Sequence, residues 1–352
     1  MKAKIILQDT IQTMGVQLRL NRQDITSLEF RLDPDIFLND CLVDGKSYEI
    51  NLFSTLKEGW RYYRLPIFLS SLELQYDSQL RPDGFGTIVL KDEDGWLPVW
   101  PEADTLREFE IRYPKNQTII SNYVAKPIQT KERFAQQHLV GQGPFELVWG
   151  TFQRAVHYSN RYYLQDTADV ELFDKFLRET KVDLEKDWGN PEIWPNVFIQ
   201  VDRELESRRV IAVRLSELQQ FKQMPKLLQR IIRKAYPIRF GEYFKSFDEP
   251  FYYYLAWRSL RGVMSPSEQA KLFPAGLSLP GPLVESEPGD AGVAFFKALE
   301  DSVGRTIFQE RVQTMMTDFR DTPLSLVHFI NLFGQEEAAE QLLERWLFMG
   351  HR

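Results

Sequence analysis

The sequence predicts an α+β protein: a β-rich, mostly antiparallel N-terminal domain built as a sandwich or bent sheet, then a mixed middle section and a helical C-terminal part. Three observations carry this. Apolar residues alternate with polar ones in short runs over residues 1–125, the spacing changes to three and four beyond that, and a Pro/Gly-rich stretch interrupts the helical text at 274–292. The expected divisions are therefore 1–125, 126–273, a linker or loop at 274–292, and 293–352. A single continuous domain with helices covering one face of the sheet is the alternative layout. At roughly 100–200 residues per domain, 352 residues allow two domains or three.

The first strands are marked by Val16, Leu18 and Leu20, by Leu28, Phe30 and Leu32, and by Tyr48, Ile50 and Leu52. Period two with one apolar face is the mark of a half-buried strand. Arg81 to Gly86 reads as a turn, Thr87 to Leu90 as a strand, and Asp92-Glu93-Asp94-Gly95 as a hairpin loop anchored by Trp96 and Trp100. Phe109, Ile111 and Tyr113 alternate with charged neighbours in a further strand. Next, Val170, Phe173 and Leu177 place a helix over 169–181, and two strands over 196–202 and 209–215 flank a charged turn. Helices are expected from Ser216 onward. Pro225 opens one, Ser265-Pro266-Ser267-Glu268 has capping-box spacing, and three more follow at about 291–316, 323–333 and 335–349.

Net charge is −7, from 43 Lys and Arg against 50 Asp and Glu, which argues against a surface coated with cations for duplex nucleic acid. The distribution is uneven: residues 1–125 sum to −5, 201–245 to +6 and 272–352 to −6. Cys41 is the single cysteine, so no intrachain disulfide or thiolate-rich zinc site can form, and a cytoplasmic location is expected. No run approaches the ~18 apolar residues of a membrane span.

Signatures of chemistry are few. His138, His157, His328 and His351 form no HxH or HExxH pair, no serine occupies a Gly-x-Ser-x-Gly turn, and the two G-x-G pairs extend to no nucleotide-binding loop. Neither a catalytic set, a metal site nor a cofactor is therefore predicted. Asp35, Asp44 and Lys46 fit a loose metal-nuclease pattern, but Asp44-Gly45 is better explained as a hairpin turn.

The strongest candidate region is 222–257. From Pro225, Leu227, Leu228, Ile231 and Ile232 share one helical face, and Lys226, Arg230, Arg233 and Lys234 the other, with Lys222 before them and Arg239 after. Nine aromatics then fall within 240–257, among them Tyr243, Tyr252, Tyr253, Tyr254 and Trp257. Tyr, Trp and Arg anchor protein interfaces, while cations beside stackable rings suit single-stranded nucleic acid. Ordinary packing, with a solvated basic face and buried rings, fits the same pattern. The function expected on this basis is a non-enzymatic interaction component of a multi-protein assembly with a protein partner. A nucleic-acid-binding component is the first alternative and a metal-dependent nuclease the second.

Overall fold

A computed structural model describes the chain except at residues 9–12, 22–26, 68, 100–105, 127, 132, 166–169, 215–216, 218–224, 261–288 and 348–352. It is an α+β protein, β-rich at the N-terminus and helical toward the C-terminus. Contacts between residues divide it into two units. The first is Met1–Arg154 with Tyr163–Gln165 and Gln200–Ser207; the second is Ala155–Tyr162, Asp166–Ile199 and Arg208–Arg352.

The strands of the first unit are β1 (Lys2–Gln8), β2 (Thr13–Asn21), β3 (Glu29–Leu32), β4 (Leu38–Val43), β5 (Lys46–Ser47), β6 (Ser54–Lys57), β7 (Trp60–Arg64), β8 (Ser71–Gln79), β9 (Ile88–Lys91), β10 (Arg107–Pro114), β11 (Thr118–Ser121), β12 (Val124–Ala125), β13 (Gln129–Lys131), β14 (Phe134–Gly141) and β15 (Glu146–Gly150). The largest sheet runs β12-β14-β10-β1-β2-β8-β4-β5, with β13 also on β14, and two smaller sheets run β11-β15-β9 and β3-β7-β6. Among the described residues of the largest sheet, only β1 and β10 pair in parallel. Alternation does what it predicts in β1 and β2, where Ile5, Leu7, Val16 and Leu18 are buried. They share a core with Phe30 and Tyr63 of one small sheet and Leu90 and Leu147 of the other. Aromatic hydroxyls in this core are satisfied by backbone: Tyr63 Oη donates to the Ile36 carbonyl and Tyr76 Oη to that of Trp96, each at 2.8 Å.

One expected strand is absent. Tyr48, Ile50 and Leu52 alternate in sequence, yet Ile50–Phe53 is a 3-10 turn, with the Asn51 side chain donating to the Leu38 carbonyl at 2.8 Å. Leu52 and Phe53 are exposed as a result. The Asp44-Gly45 hairpin does form. Both residues have positive φ, 51° and 76°, as a type I′ turn requires, and Asp44 Oδ1 accepts from the Ser70 and Ser71 amides. Those bonds hold the Asp44 carboxyl below its ordinary pKa. Its role is to fix a turn, which removes the nuclease pattern's central residue. Cys41 is buried in β4, and burial, helped by Asp40, pushes its thiol up to about 12. At pH 8 the thiolate is therefore rare, and Cys41 is expected to react with a disulfide reagent only on unfolding. Rapid labelling of the native protein would contradict this.

The second unit contains most of a four-stranded sheet ordered β16 (Gln153–His157), β17 (Asn160–Leu164), β18 (Val197–Gln200) and β19 (Val210–Val213). Its helices are α1 (Val170–Trp188), α2 (Pro225–Ala235), α3 (Asp248–Leu260), α4 (Gly289–Val303), α5 (Arg305–Asp318), α6 (Leu326–Phe333) and α7 (Glu337–Leu347). The single helix expected over 291–316 is two, because Gly304 takes φ 84° between α4 and α5. The first of them starts at Gly289, so the end of the expected 274–292 linker is helical; the stretch before it, and the Ser265 capping box, lie outside the described residues. Among the described residues no helix is long and apolar enough to cross a membrane.

Candidate functional site

The basic and aromatic segment occupies α2, the 3-10 turn Glu242–Phe247 and α3. As the helical pattern predicts, Leu227, Leu228, Ile231 and Ile232 are buried. The cations opposite them are engaged within this unit. Arg230 Nη2 meets Glu217 Oε2 at 2.6 Å and donates to the Ala212 carbonyl, Arg233 pairs with Asp248, Lys234 Nζ donates to the Val210 carbonyl at 2.6 Å, and Arg239 Nη1 to that of Asp321 at 3.2 Å. Lys226 is exposed, Lys222 lies outside the described residues, and the side chain of Tyr243 is not described.

The rings are interior. Tyr252, Tyr254 and Trp257 are buried, as are Phe244, Phe247 and Phe251, and Tyr253 is half-buried. Tyr252 Oη donates to the Tyr236 carbonyl and accepts from the Ile238 amide. Phe244 and Phe247 stack at 4.4 Å, and Phe251 meets Phe296 of α4 edge-on at 5.2 Å. Stacking bases between them would require opening the core.

Beneath these rings lies a charge cluster that sequence reading missed. Arg258 of α3, 6% exposed, binds Asp187 Oδ2 at 2.6 Å and Glu300 Oε1 at 3.0 Å, and its guanidinium lies over the Trp188 ring at 4.9 Å. Tyr254 Oη donates to the other oxygen of Glu300. Burial first, then the Glu300 charge, pushes the Tyr254 phenol far above its ordinary range, so it stays a donor. Asp174 of α1 forms a second cluster, accepting from Asn160 Nδ2 at 2.7 Å, Tyr162 Oη at 2.8 Å and Arg178 Nε at 3.0 Å.

The first unit contains a cleft of about 780 Å³, within the size range of ligand pockets. Asp33, Asp35, Asp77, Glu93 and Asp94 line it against two cations, Arg81 and Arg203. Arg203 grips Asp94 with both nitrogens at 2.9 and 2.8 Å. The Glu146 carboxylate accepts from the Glu206 and Ser207 amides and fixes the segment that carries Arg203. Trp60 and Trp96 supply apolar wall, Trp96 being buried as the anchor expected of it. An excess of carboxylates over guanidiniums favours a cationic group in this cleft.

Gly95 sets the shape of this wall. It has φ 70°, and an added Cβ would stand 2.4 Å from Trp60 Cζ3 and 2.8 Å from the Asp33 nitrogen. Gly95→Ala is therefore expected to cost about 2–4 kcal/mol, overpacking and left-handed strain together. Unaltered thermal unfolding would refute the close approach.

The histidines do not converge. His138 Nε2 is 3.9 Å from Glu108, His157 packs edge-on against Tyr162, and His328 is bound to Ser325 at the start of α6; His351 lies outside the described residues. Among the described residues, no three His, Cys, Asp or Glu are grouped so that they could hold a metal ion.

No protein-family model and no curated protein matches the sequence. Solved structures do match. An M1 zinc metallopeptidase from Deinococcus radiodurans aligns over 98% of this chain and 92% of its own, with TM-score 0.61 and 13% identity. This chain shares that enzyme's fold. Aminopeptidase A of Legionella pneumophila shares this fold over 98% of the chain and 48% of its own length, at TM-score 0.66 and 13% identity. Yeast LTA4 hydrolase shares it over 99% and 67%, at TM-score 0.60 and 12% identity. The expectation of a non-enzymatic assembly component, with its nucleic-acid and nuclease alternatives, is corrected by this finding. The likeness extends over nearly the whole chain, and of the residues taken for an interaction surface the rings of Tyr252, Tyr254 and Trp257 are packed inside while Lys226, Arg233 and Arg239 are exposed.

Proposed function

We propose that the protein is peptidase-like and that peptides are the molecules it acts on. The observation supporting this is the length-wide likeness to peptidases, rather than likeness confined to one unit. The Deinococcus structure is named as bound to a Tyr-Ser-Ala substrate and the Legionella structure as a complex with aspartic acid, so free amino acids and short peptides are the ligand class to try first. The acidic cleft of the first unit supports a preference for a ligand bearing an ammonium group.

The zinc in the names of such neighbours is a separate matter. Catalytic zinc takes three protein ligands from His, Cys, Asp or Glu and leaves a fourth position for water. The described residues hold no such group, so no step of the reaction is assigned to zinc.

The test is to equilibrate the full chain with a defined mixture of short peptides, free and N-acetylated. Mass spectrometry then reads which peptides the protein retains and which lose residues. Retention or shortening of free-amino peptides, weaker for the acetylated set, is expected. A mixture that is neither retained nor changed would overturn the reading.

A further inference from the structure

Whether a metallopeptidase fold holds a metal depends on donors that are close together and uncommitted. A zinc site needs neutral imidazoles, thiolates or carboxylates, and each must be given up by any other partner. Four histidines and one cysteine are available in the whole sequence, and no two of the histidines share a helical turn. The described three stand apart, each already against a partner of its own: Glu108, Tyr162 and Ser325. Cys41 lies inside β4 of the first unit's core.

The interior carboxylates described in the second unit are committed in a consistent way. Asp174 and Glu217, its two most buried among the described residues, pair with Arg178 and Arg230. Asp248 pairs with Arg233. Asp187 and Glu300 converge as two carboxylates around a dication would, and the charge between them is the guanidinium of Arg258. A metal entering any of these places would have to displace an arginine, leaving that cation buried and unpaired, at a cost that chelation must first overcome.

We infer that this chain carries the metallopeptidase fold without a catalytic zinc, the interior carboxylates of its second unit being neutralised by arginines, and that its action on peptides is independent of zinc. The action on peptides rests on the function proposed above; the absence of a zinc-holding set among the described residues rests on the donors themselves.

The experiment uses the full chain, expressed with zinc in the medium and passed through gel filtration. Metal content is measured by mass spectrometry, thermal unfolding is followed with zinc chloride and with phenanthroline, and peptide retention and shortening are repeated under both conditions. Expected are zinc far below one equivalent per chain, a Tm moved by neither reagent, and peptide behaviour the same in both. A ligand bound only to the folded state would raise Tm. One equivalent of zinc surviving gel filtration, or a Tm or peptide turnover lost on chelation, would overturn the inference. Zinc absent together with peptides ignored would leave the inference standing and reject the proposed function instead.

Discussion

Replacing Arg258 by Met is expected to destabilise the second unit by about 3–5 kcal/mol, the range for removing one partner of a buried ion pair. The side chain is 6% exposed and bridges Asp187 to Glu300. Without it two carboxylates face each other in an apolar setting, and Tyr254 is left bonded to one of them. Chemical denaturation reads the effect as a lower midpoint at unchanged slope. Arg258→Lys is expected to recover part of the loss, since a single ammonium keeps the charge but lacks the planar fork that reaches both acids. Adding Glu300→Gln to Arg258→Met should also recover stability by removing one stranded charge. If Arg258→Met unfolds like the parent protein, the three-residue cluster is not what holds α1, α3 and α4 together.

The second large effect is expected at Asp174. This carboxylate is buried against three donors, two of them, Asn160 and Tyr162, themselves inside the protein. Asp174→Ala removes every acceptor at once. Each of the two buried donors left unsatisfied costs about 1–3 kcal/mol, so a loss of roughly 2–6 kcal/mol follows. Tyr162→Phe in the Asp174→Ala background relieves one stranded hydroxyl, and the pair should be non-additive in a double-mutant cycle. Additive losses would mean that the two side chains do not interact. With Asp174 present, burial first and then this hydrogen bond raise the Tyr162 phenol well above its ordinary pKa, so it donates throughout the accessible pH range.

How far the sequence carries the structure follows from the range of each signal. Alternation is local, and it locates β2, β3 and β10 because the burial of residues i and i+2 is decided within the strand. It misleads at Tyr48 to Leu52, where Asn51 finds the Leu38 carbonyl and a 3-10 turn wins. A glycine in helical text costs about 1 kcal/mol but does not announce a break, and at Gly304 the positive φ makes it one. In α2 the apolar face is read correctly from spacing. The fate of the basic face is not, because the partners Glu217 and Asp248 stand before the helix and after the next turn, outside any helical repeat. A scan of 217–248 therefore sees a cationic segment, whereas the folded chain pairs it from both ends.

The candidate site shows the same limit more strongly. The acidic cleft draws on residues near 33, 60, 77, 94 and 203, and the Arg258 cluster on 187, 254 and 300. No short motif spans such separations. Identity to the solved neighbours is only 12–13%, although the alignment with them covers 98–99% of the chain. What the sequence does state directly is the shortage of donors. Four histidines without an HxH or HExxH spacing and a single cysteine leave few imidazole and thiolate ligands to offer a metal.

Peptide retention by the purified full chain tests the proposed function most directly. Equilibrium dialysis against a labelled mixture of short peptides with free amino termini is predicted to show saturable uptake, reduced by N-acetylation and indifferent to phenanthroline. Uptake that is absent, or equal for free and acetylated peptides, would contradict it.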